Sequence, residues 1–576
     1  MFRVRGYLNR AVLAVLVLSL AATLAGPMPT TARAAALPER PRVILDTTYV
    51  PPTGRTLAVP AGGDLKAALN AAVGGDVITL QAGATFSGPF TLPNKSGTGW
   101  IIVRTSAADS TLPPPGTRIT GAYAGPALPK IVVGAGVGGA LRTTSGAHHF
   151  RFIGIEFAPT PGAFVYSLIE LGAGETSAAA LPHDLIFDRC FIHGDPTVGG
   201  RRGIAMNSAA TAVIDSALWG FTEVGADAQA IASWSGTGPF KIVNNYLEAS
   251  GENVMFGGDG PSILNLVPAD IEVRGNYFFK PLTWKVGDPS YAGVAWTVKN
   301  LFELKNAQRV LLDGNIFEHN WVGADQHGAA VLFTVRNQTG SSPWAIVADV
   351  TFTHNIVRRA TGGIEILGRD YLFLSQQAQR LLIQNNLFDD IGGAQWAGAD
   401  RTGRLFQLSN GAADVIIDHN TAFQTENPLV ASETTATIQP DTGFSFTNTI
   451  TPNGPAGVTG PGTWGNAILT LNLYAPGAVF VRNAPAGGAA ATYPSDNFFP
   501  ASLDLVGFLN LAGGDYHLAP SSPYKNTATD GRDLGADIDA LTAATASALS
   551  GVSSATPTLA VTPQITTDFG SVSVGA

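Results

Sequence analysis

The chain has 576 residues, of which 45% are hydrophobic and 13% charged, with 67 Gly, 37 Pro and a single Cys. It is too long for one ordinary domain and too apolar for disorder, and its charged share is about half the ~25% of ordinary globular proteins. Thirty-four basic groups less the four arginines of the leader leave 30 against 43 acidic ones, a net charge of −13 that excludes nucleic acid as a partner, and one Cys excludes a disulfide framework or a cysteine-rich metal site.

Arg3, Arg5 and Arg10 form a basic start, Ala11 to Ala25 is apolar, and Ala32-Arg33-Ala34 offers a small-x-small cleavage site. The apolar run falls short of the ~20 residues that span a bilayer. Residues 1–36 therefore read as a signal peptide, and the mature protein is expected outside the cell, without a transmembrane segment. Residues 37–60 read as a linker, 61–540 as the body, and 541–576 as a second linker leading into further structure.

The body is a repeat, apolar-x-apolar-x-x-Asn-x-apolar. It appears as Phe240/Ile242/Asn245/Leu247, Ile271/Val273/Asn276/Phe278, Val310/Leu312/Asn315/Phe317, Val350/Phe352/Asn355/Val357, Leu381/Ile383/Asn386/Phe388 and Val415/Ile417/Asn420/Ala422. Earlier copies carry Ile155, Cys190 and Ser216 in the Asn column, so Cys190 reads as a small buried residue. From Ile155 to Asn420 the column recurs every 26 to 40 residues, as stacked coils with variable loops require.

Each copy reads as two short strands bent at the Asn, with period-2 alternation placing apolar residues on one face. Asn suits the bend because it tolerates left-handed backbone, and its amide can pair with the Asn of the next coil. A third strand precedes each pair, at Leu168–Leu171, Gly203–Met206, Ala230–Ser233, Asn253–Phe256, Leu301–Leu304, Leu332–Val335, Gly363–Ile366 and Leu405–Leu408. Three strands per turn predict an all-β, right-handed parallel β-helix, a three-sheet solenoid. Stacked helices are excluded because the segments alternate instead of repeating at i, i+3, i+4.

Gly62-Gly63-Asp64-Leu65-Lys66-Ala67-Ala68-Leu69-Asn70-Ala71-Ala72, followed by Gly75-Asp76-Val77-Ile78-Thr79-Leu80, resembles the capping helix and first strand of secreted bacterial right-handed parallel β-helix proteins of the pectate-lyase-like superfamily, with Asp64 as N-cap. Asp515-Tyr516-His517-Leu518-Ala519-Pro520 through Asp533-Leu534-Gly535-Ala536-Asp537 resembles their closing segment. The run Trp296 to Asn306 with Gly314-Asn315-Ile316-Phe317-Glu318 is similar to a bacterial subgroup known only by that fold. No catalytic motif of a characterised lyase or hydrolase is matched. Thr558–Thr562 and Phe569–Val574 resemble the first strands of an immunoglobulin-like module, too few to bury a sandwich core.

The resemblance implies a polysaccharide as partner, bound by a monomer across the outer face of one sheet. Alternation sends Glu303/Lys305, Thr334/Arg336, Glu365/Leu367 and Gln407/Ser409 outward in four successive coils. Glu303, Lys305, Arg336, Glu365 and Gln407 are then expected to form one polar patch, flanked by Lys299, Asp325, His327, Arg369 and Asp370, with Trp234, Glu252-Asn253 and Asp259 farther along. Trp296 and Trp321 in adjoining loops are candidates for stacking on sugar rings, although loop packing accounts for them equally well. The patch itself reads equally as a solvated face whose charges pair across strands.

Two enzymatic chemistries fit. In a polysaccharide lyase acting on a uronate-containing glycan, Lys305 or Arg336 takes the proton beside the carboxylate and the other binds the acid, with Asp325, Glu303 and Glu365 as oxygen ligands for Ca²⁺. In an inverting glycoside hydrolase, Glu303 and Glu365, two rungs and roughly 9.6 Å apart at ~4.8 Å per rung, flank the bond. The third reading is a non-catalytic glycan-binding protein. The lyase is favoured because the patch supplies cations on an otherwise acidic chain.

Overall fold

The computed structural model describes residues 35–172, 174–323, 328–396 and 402–553. Three long sheets run side by side, of 14, 13 and 12 strands in the order in which each coil visits them, and every ladder between coils is parallel. One coil shows the winding: Phe240–Val243 lies in the first sheet, Tyr246–Ala249 in the second and Val254–Phe256 in the third. Parallel crossovers of this kind are right-handed, and the fold is the expected right-handed parallel β-helix. The inward residues form one continuous core from Val59 to Tyr493. Its phenylalanines stack from coil to coil, as in Phe278–Phe317 at 4.4 Å and Phe317–Phe352 at 5.7 Å between ring centres.

Both ends of the core are plugged by helices. At the start, α1 (Leu65–Ala71) buries Leu65 and Leu69, and Asp64 caps it by accepting a hydrogen bond from the Ala67 amide at 2.9 Å. At the far end, α2 (Ala467–Tyr474) inserts Ala467 and Leu471, with Tyr493 and Phe499 packed beside them. The segment expected to close the helix does something else. Asp515–Leu518 pairs antiparallel with Phe508–Asn510 and sets Tyr516 against Phe423, on the outside of the second sheet.

The Asn column is a ladder of buried amides. Asn245, Asn276, Asn315, Asn355 and Asn386 each donate Nδ2–H to the Oδ1 of the Asn one coil on, at 3.0 to 3.2 Å. That same Oδ1 also accepts the backbone N–H of the preceding coil's Asn. The left-handed residue is not the ladder Asn but its predecessor: Asn244, Gly275, Gly314, His354, Asn385 and His419 all have positive φ. The tight bend needs one such residue per coil, which frees the next one for hydrogen bonding.

Both ends of the described stretch run back over the solenoid. Residues 35–55, read from the sequence largely as linker, cross the outer face of the first sheet. The Glu39 amide reaches Asp349, the Arg42 amide reaches Asp270, and the carbonyls of Leu45 and Thr47 accept from Lys241 and Arg151. After α2 the chain returns along the bend between the first and second sheets. Thr529 pairs with Asn448, Asp537 with Asn385, and α3 (Ile538–Ser550) lies over Gly314 and Gly275. A Cβ on Gly314 would sit 2.4 Å from the Ala544 carbonyl, which explains why the bend column turns to glycine there. His419, which a bare bend would leave in solvent, is buried against Asp530. Residues 541–550, read as the start of a linker, are thus the body of a docked helix. Residues 1–34 of the expected leader and the immunoglobulin-like start after 553 lie outside the described residues. No helix among the described residues is long and apolar enough to cross a membrane.

Asp441 near α2 is buried, and its carboxylate accepts the Ala412 amide at 2.7 Å. Burial pushes its pKa up to about 8, and the charge of Glu433 adds to this against the opposing hydrogen bond. The native state therefore keeps a proton that the unfolded chain loses near pH 4, and its stability falls as pH rises from about 4 to 8. Asp441→Asn is expected to flatten that slope, unfolding at the same urea concentration as the parent at pH 4 but later at pH 8, by on the order of 3 kcal/mol.

Candidate functional site

The third sheet carries the polar wall. Pleating buries Phe302 and Leu304 in the core and turns Glu303 between them outward. Register then aligns Met255, Glu303, Leu332, Glu365 and Gln407 in one outward column. The expected unbroken patch is therefore split, because Leu332 stands between Glu303 and Glu365. Thr334 falls opposite Lys305, one pleat farther along. The sequence pattern pairs Glu303 with Thr334, a slip of two residues that leaves every side chain on its predicted face.

The upper part of the wall is a compact charge cluster. Lys299 Nζ bridges Glu252 Oε1 at 2.7 Å and Asp227 Oδ2 at 2.9 Å. Gln229 donates to the other oxygen of Glu252 at 2.8 Å. Lys305 Nζ lies 3.7 Å from Glu303 Oε1, which also accepts from the Thr334 hydroxyl at 3.3 Å. Both glutamates are buried beneath the lysine side chains. Their proton affinities are pushed in opposite directions. Burial raises Glu303, and the neighbouring charge of Glu252 and a hydrogen bond with it add to this, outweighing Lys305 and Lys299. For Glu252 burial acts upward too, but Lys299 and Lys305 overcome it and hold the carboxyl low. Lys299 is kept protonated by Glu252, Glu303 and Asp227 in spite of its burial. The cluster thus holds one carboxyl low and raises the proton affinity of the other, a division that acid–base chemistry uses.

Arg336 is the next cation along the wall. Its backbone amide donates to the Lys305 carbonyl at 2.9 Å, so the two residues occupy neighbouring coils. The guanidinium reaches Asp370 at 3.3 Å and lies 4.4 Å above the Tyr371 ring. Asp370 is itself fixed by the amides of Asn337 and Leu372. A guanidinium has five N–H donors, so this arrangement leaves donors for a further anion.

The remaining expected residues take other places. Glu365 is half-buried in a shallow depression with Gly362, Arg404 and Gln407, and Gln407 accepts from Arg404 at 3.0 Å. Arg369 turns to the Gly411 carbonyl at 3.0 Å, along the coils and away from the Glu303 cluster. Trp321 is 5% exposed and packs with Trp284, Val298, Trp396 and the partly buried Trp296 in a loop core. These rings shape the flank of the wall and, for Trp321, leave no open face for a sugar. The open rings are Tyr371 and Phe373, 44% and 46% exposed, in the loop that holds Arg336. Asp325 and His327 lie outside the described residues. Glu252 is already neutralised by Lys299, so the described carboxylates fit a calcium ion only if that lysine is displaced.

Sequence reasoning missed Asp227, Gln229 and Tyr371. Asp227 and Gln229 sit at a strand entrance two coils before Lys299, and only the stacking of coils brings them to it. Tyr371 had a readable signal in Asp370-Tyr371-Leu372-Phe373-Leu374, an apolar run in a loop between polar segments.

No protein-family model matches the chain, and no curated protein matches it in sequence. Solved structures do. An alginate lyase from Paenibacillus sp. str. FPU-7 is 14% identical over 66% of this chain and 93% of its own, with a TM-score of 0.30. The catalytic unit of a GH87 alpha-1,3-glucanase from Streptomyces thermodiastaticus strain HF3-3 is 11% identical over 77% and 70%, with a TM-score of 0.41. A mannuronic acid specific polysaccharide family 6 lyase from human gut microbiota is 9% identical over 77% and 91%, with a TM-score of 0.41. These likenesses concern the winding of the chain, and its chemistry rests on the residues above.

Proposed function

We propose that the protein is a secreted polysaccharide lyase that cleaves a uronate-containing glycan by β-elimination on the outer wall of the third sheet. The observation that carries this reading is the placement of Lys305 and Arg336 on neighbouring coils, with Glu303, whose proton affinity burial raises, 3.7 Å from the Lys305 amine. In the reaction, Arg336 holds the uronate carboxylate and draws charge from the adjoining carbon. With the Lys305 amine in its neutral form and a proton on Glu303, the amine takes the proton on that carbon. The C–H electrons form the C=C bond as the glycosidic C–O bond breaks, and Glu303 gives its proton to the departing oxygen. Lys305 then returns its proton to Glu303 and the pair is reset. Glu252 and Lys299 keep the surrounding field fixed, Tyr371 offers a face for a sugar ring, and no step runs through a metal.

The opposite shifts of Glu252, held low, and Glu303, raised, favour a second reading, a glycoside hydrolase with Glu303 as the acid. One assay separates the two. The protein is incubated with alginate, pectate, other uronans and neutral glucans, and both ultraviolet absorbance and reducing ends are followed. The proposal expects reducing ends matched by absorbance from an unsaturated uronate. Reducing ends without absorbance would instead establish the hydrolase, and binding without either would leave a glycan-binding protein.

A further inference from the structure

A second cluster lies several coils earlier, on the first sheet. His148 and His183 open successive strands and stand opposite each other in register. Their rings stack at 4.9 Å and 6°. The next residues, His149 and Asp184, both have left-handed backbone, φ 58° and 52°, an unusual state for a histidine. That turn brings their side chains to the same place as those of their predecessors. His149 Nδ1 lies 2.7 Å from His148 Nδ1 and 3.9 Å from Asp184 Oδ2, and His183 Nδ1 lies 2.6 Å from that same oxygen. Ligand atoms of His149, His183 and Asp184 all fall within 4.8 Å of one another. His148 Nε2 meets the Lys95 carbonyl at 2.8 Å, which a ring nitrogen can do only by donating. Its Nδ1 is therefore a lone pair aimed into the cluster.

Later coils show what this position normally does. Asp270 is paired with Arg309 at 2.7 Å and Asp349 with Arg380 at 2.6 Å, all four with the same left-handed backbone. In these two pairs an aspartate meets an arginine of the next coil. At Asp184 the ion-pair partners among the described residues are imidazoles instead.

We propose that His149, His183 and Asp184 form a site for a divalent transition ion such as Zn²⁺ that pins two coils together. Imidazole nitrogens and one carboxylate are the donor set of such ions. Ligand atoms about 2.0–2.1 Å from a tetrahedral zinc stand roughly 3.3 Å apart, a separation bracketed by the contacts in this cluster. The site lies many coils from Glu303, and its role is to hold structure.

The test uses the full, tag-free chain stripped with a chelator. Zinc is titrated in competition with a colorimetric chelator, and thermal unfolding is followed with and without zinc. One zinc per chain and a rise in Tm on adding it are expected. His149→Gln and His183→Gln should each weaken binding at least tenfold and abolish the Tm rise, with circular dichroism unchanged. His517→Gln, an exposed histidine beside Asp515 and Asp539, should leave both readouts as in the parent. Zinc binding that survives the double variant His149→Gln/His183→Gln, or a parent that binds no zinc at micromolar concentration, overturns the proposal.

Discussion

Lys305→Ala is expected to lower the rate of uronate elimination at least a hundredfold while leaving glycan binding within a few-fold of the parent. In the proposed reaction the amine alone receives the proton, and general-base groups contribute about 10²–10⁴-fold. Arg336→Ala should instead raise KM as well as lower kcat, because its guanidinium binds the acid that Lys305 does not touch. Glu303→Gln tests the same step from the other side. The amide keeps the shape of the side chain but cannot pass a proton to the leaving oxygen, so kcat should fall with KM nearly unchanged. Activity of the parent should also fall as pH rises past the raised pKa of Glu303, since the acid is then lost. A Lys305→Ala chain with full kcat on a confirmed substrate would sink the assignment of this wall as the reacting one.

The second large effect concerns stability. Asn315→Ala removes two donated hydrogen bonds, to the Val273 carbonyl and to Asn355, and two accepted ones, from the amide and side chain of Asn276. All these groups are buried among coils with no room for water. At about 1–3 kcal/mol for each buried polar group left unpaired, the loss is on the order of 5 kcal/mol. Urea unfolding of the variant should show a midpoint far below the parent's. Asn315→Asp should be as damaging near neutral pH, since a carboxylate keeps the acceptor but cannot donate. An Asn315→Ala chain within 1 kcal/mol of the parent would mean that the ladder is not what holds the coils in register.

The winding was legible because alternation and the Asn column repeat in every coil and are insensitive to loop length. The wall was legible only as a face. Inward and outward positions have period 2, so the two-residue slip between Glu303 and Leu332 leaves the pattern intact while changing which residue is whose neighbour. A one-residue slip would have buried Leu332 and exposed Phe333, and the pattern excludes it. The partners of Lys299 were hidden for a different reason. Asp227 and Glu252 lie 72 and 47 positions before it, and only the loop lengths of two intervening coils decide whether they meet. The mistaken reason for the Asn column has the same root, since hydrogen-bonding and left-handed residues are adjacent and composition alone does not separate their roles.

The two returning segments also bear on when the molecule becomes stable. The Glu39 amide closes on a residue 310 positions later, and Arg118 holds the Ala548 carbonyl 430 positions on. The first needs the coil at Asp349 and the second the helix at Ala548, and contacts so distant in the chain form late. With both made, the stack is fastened at Glu39 and again at Arg118, and unwinding those coils requires detaching these contacts first, which favours slow unfolding.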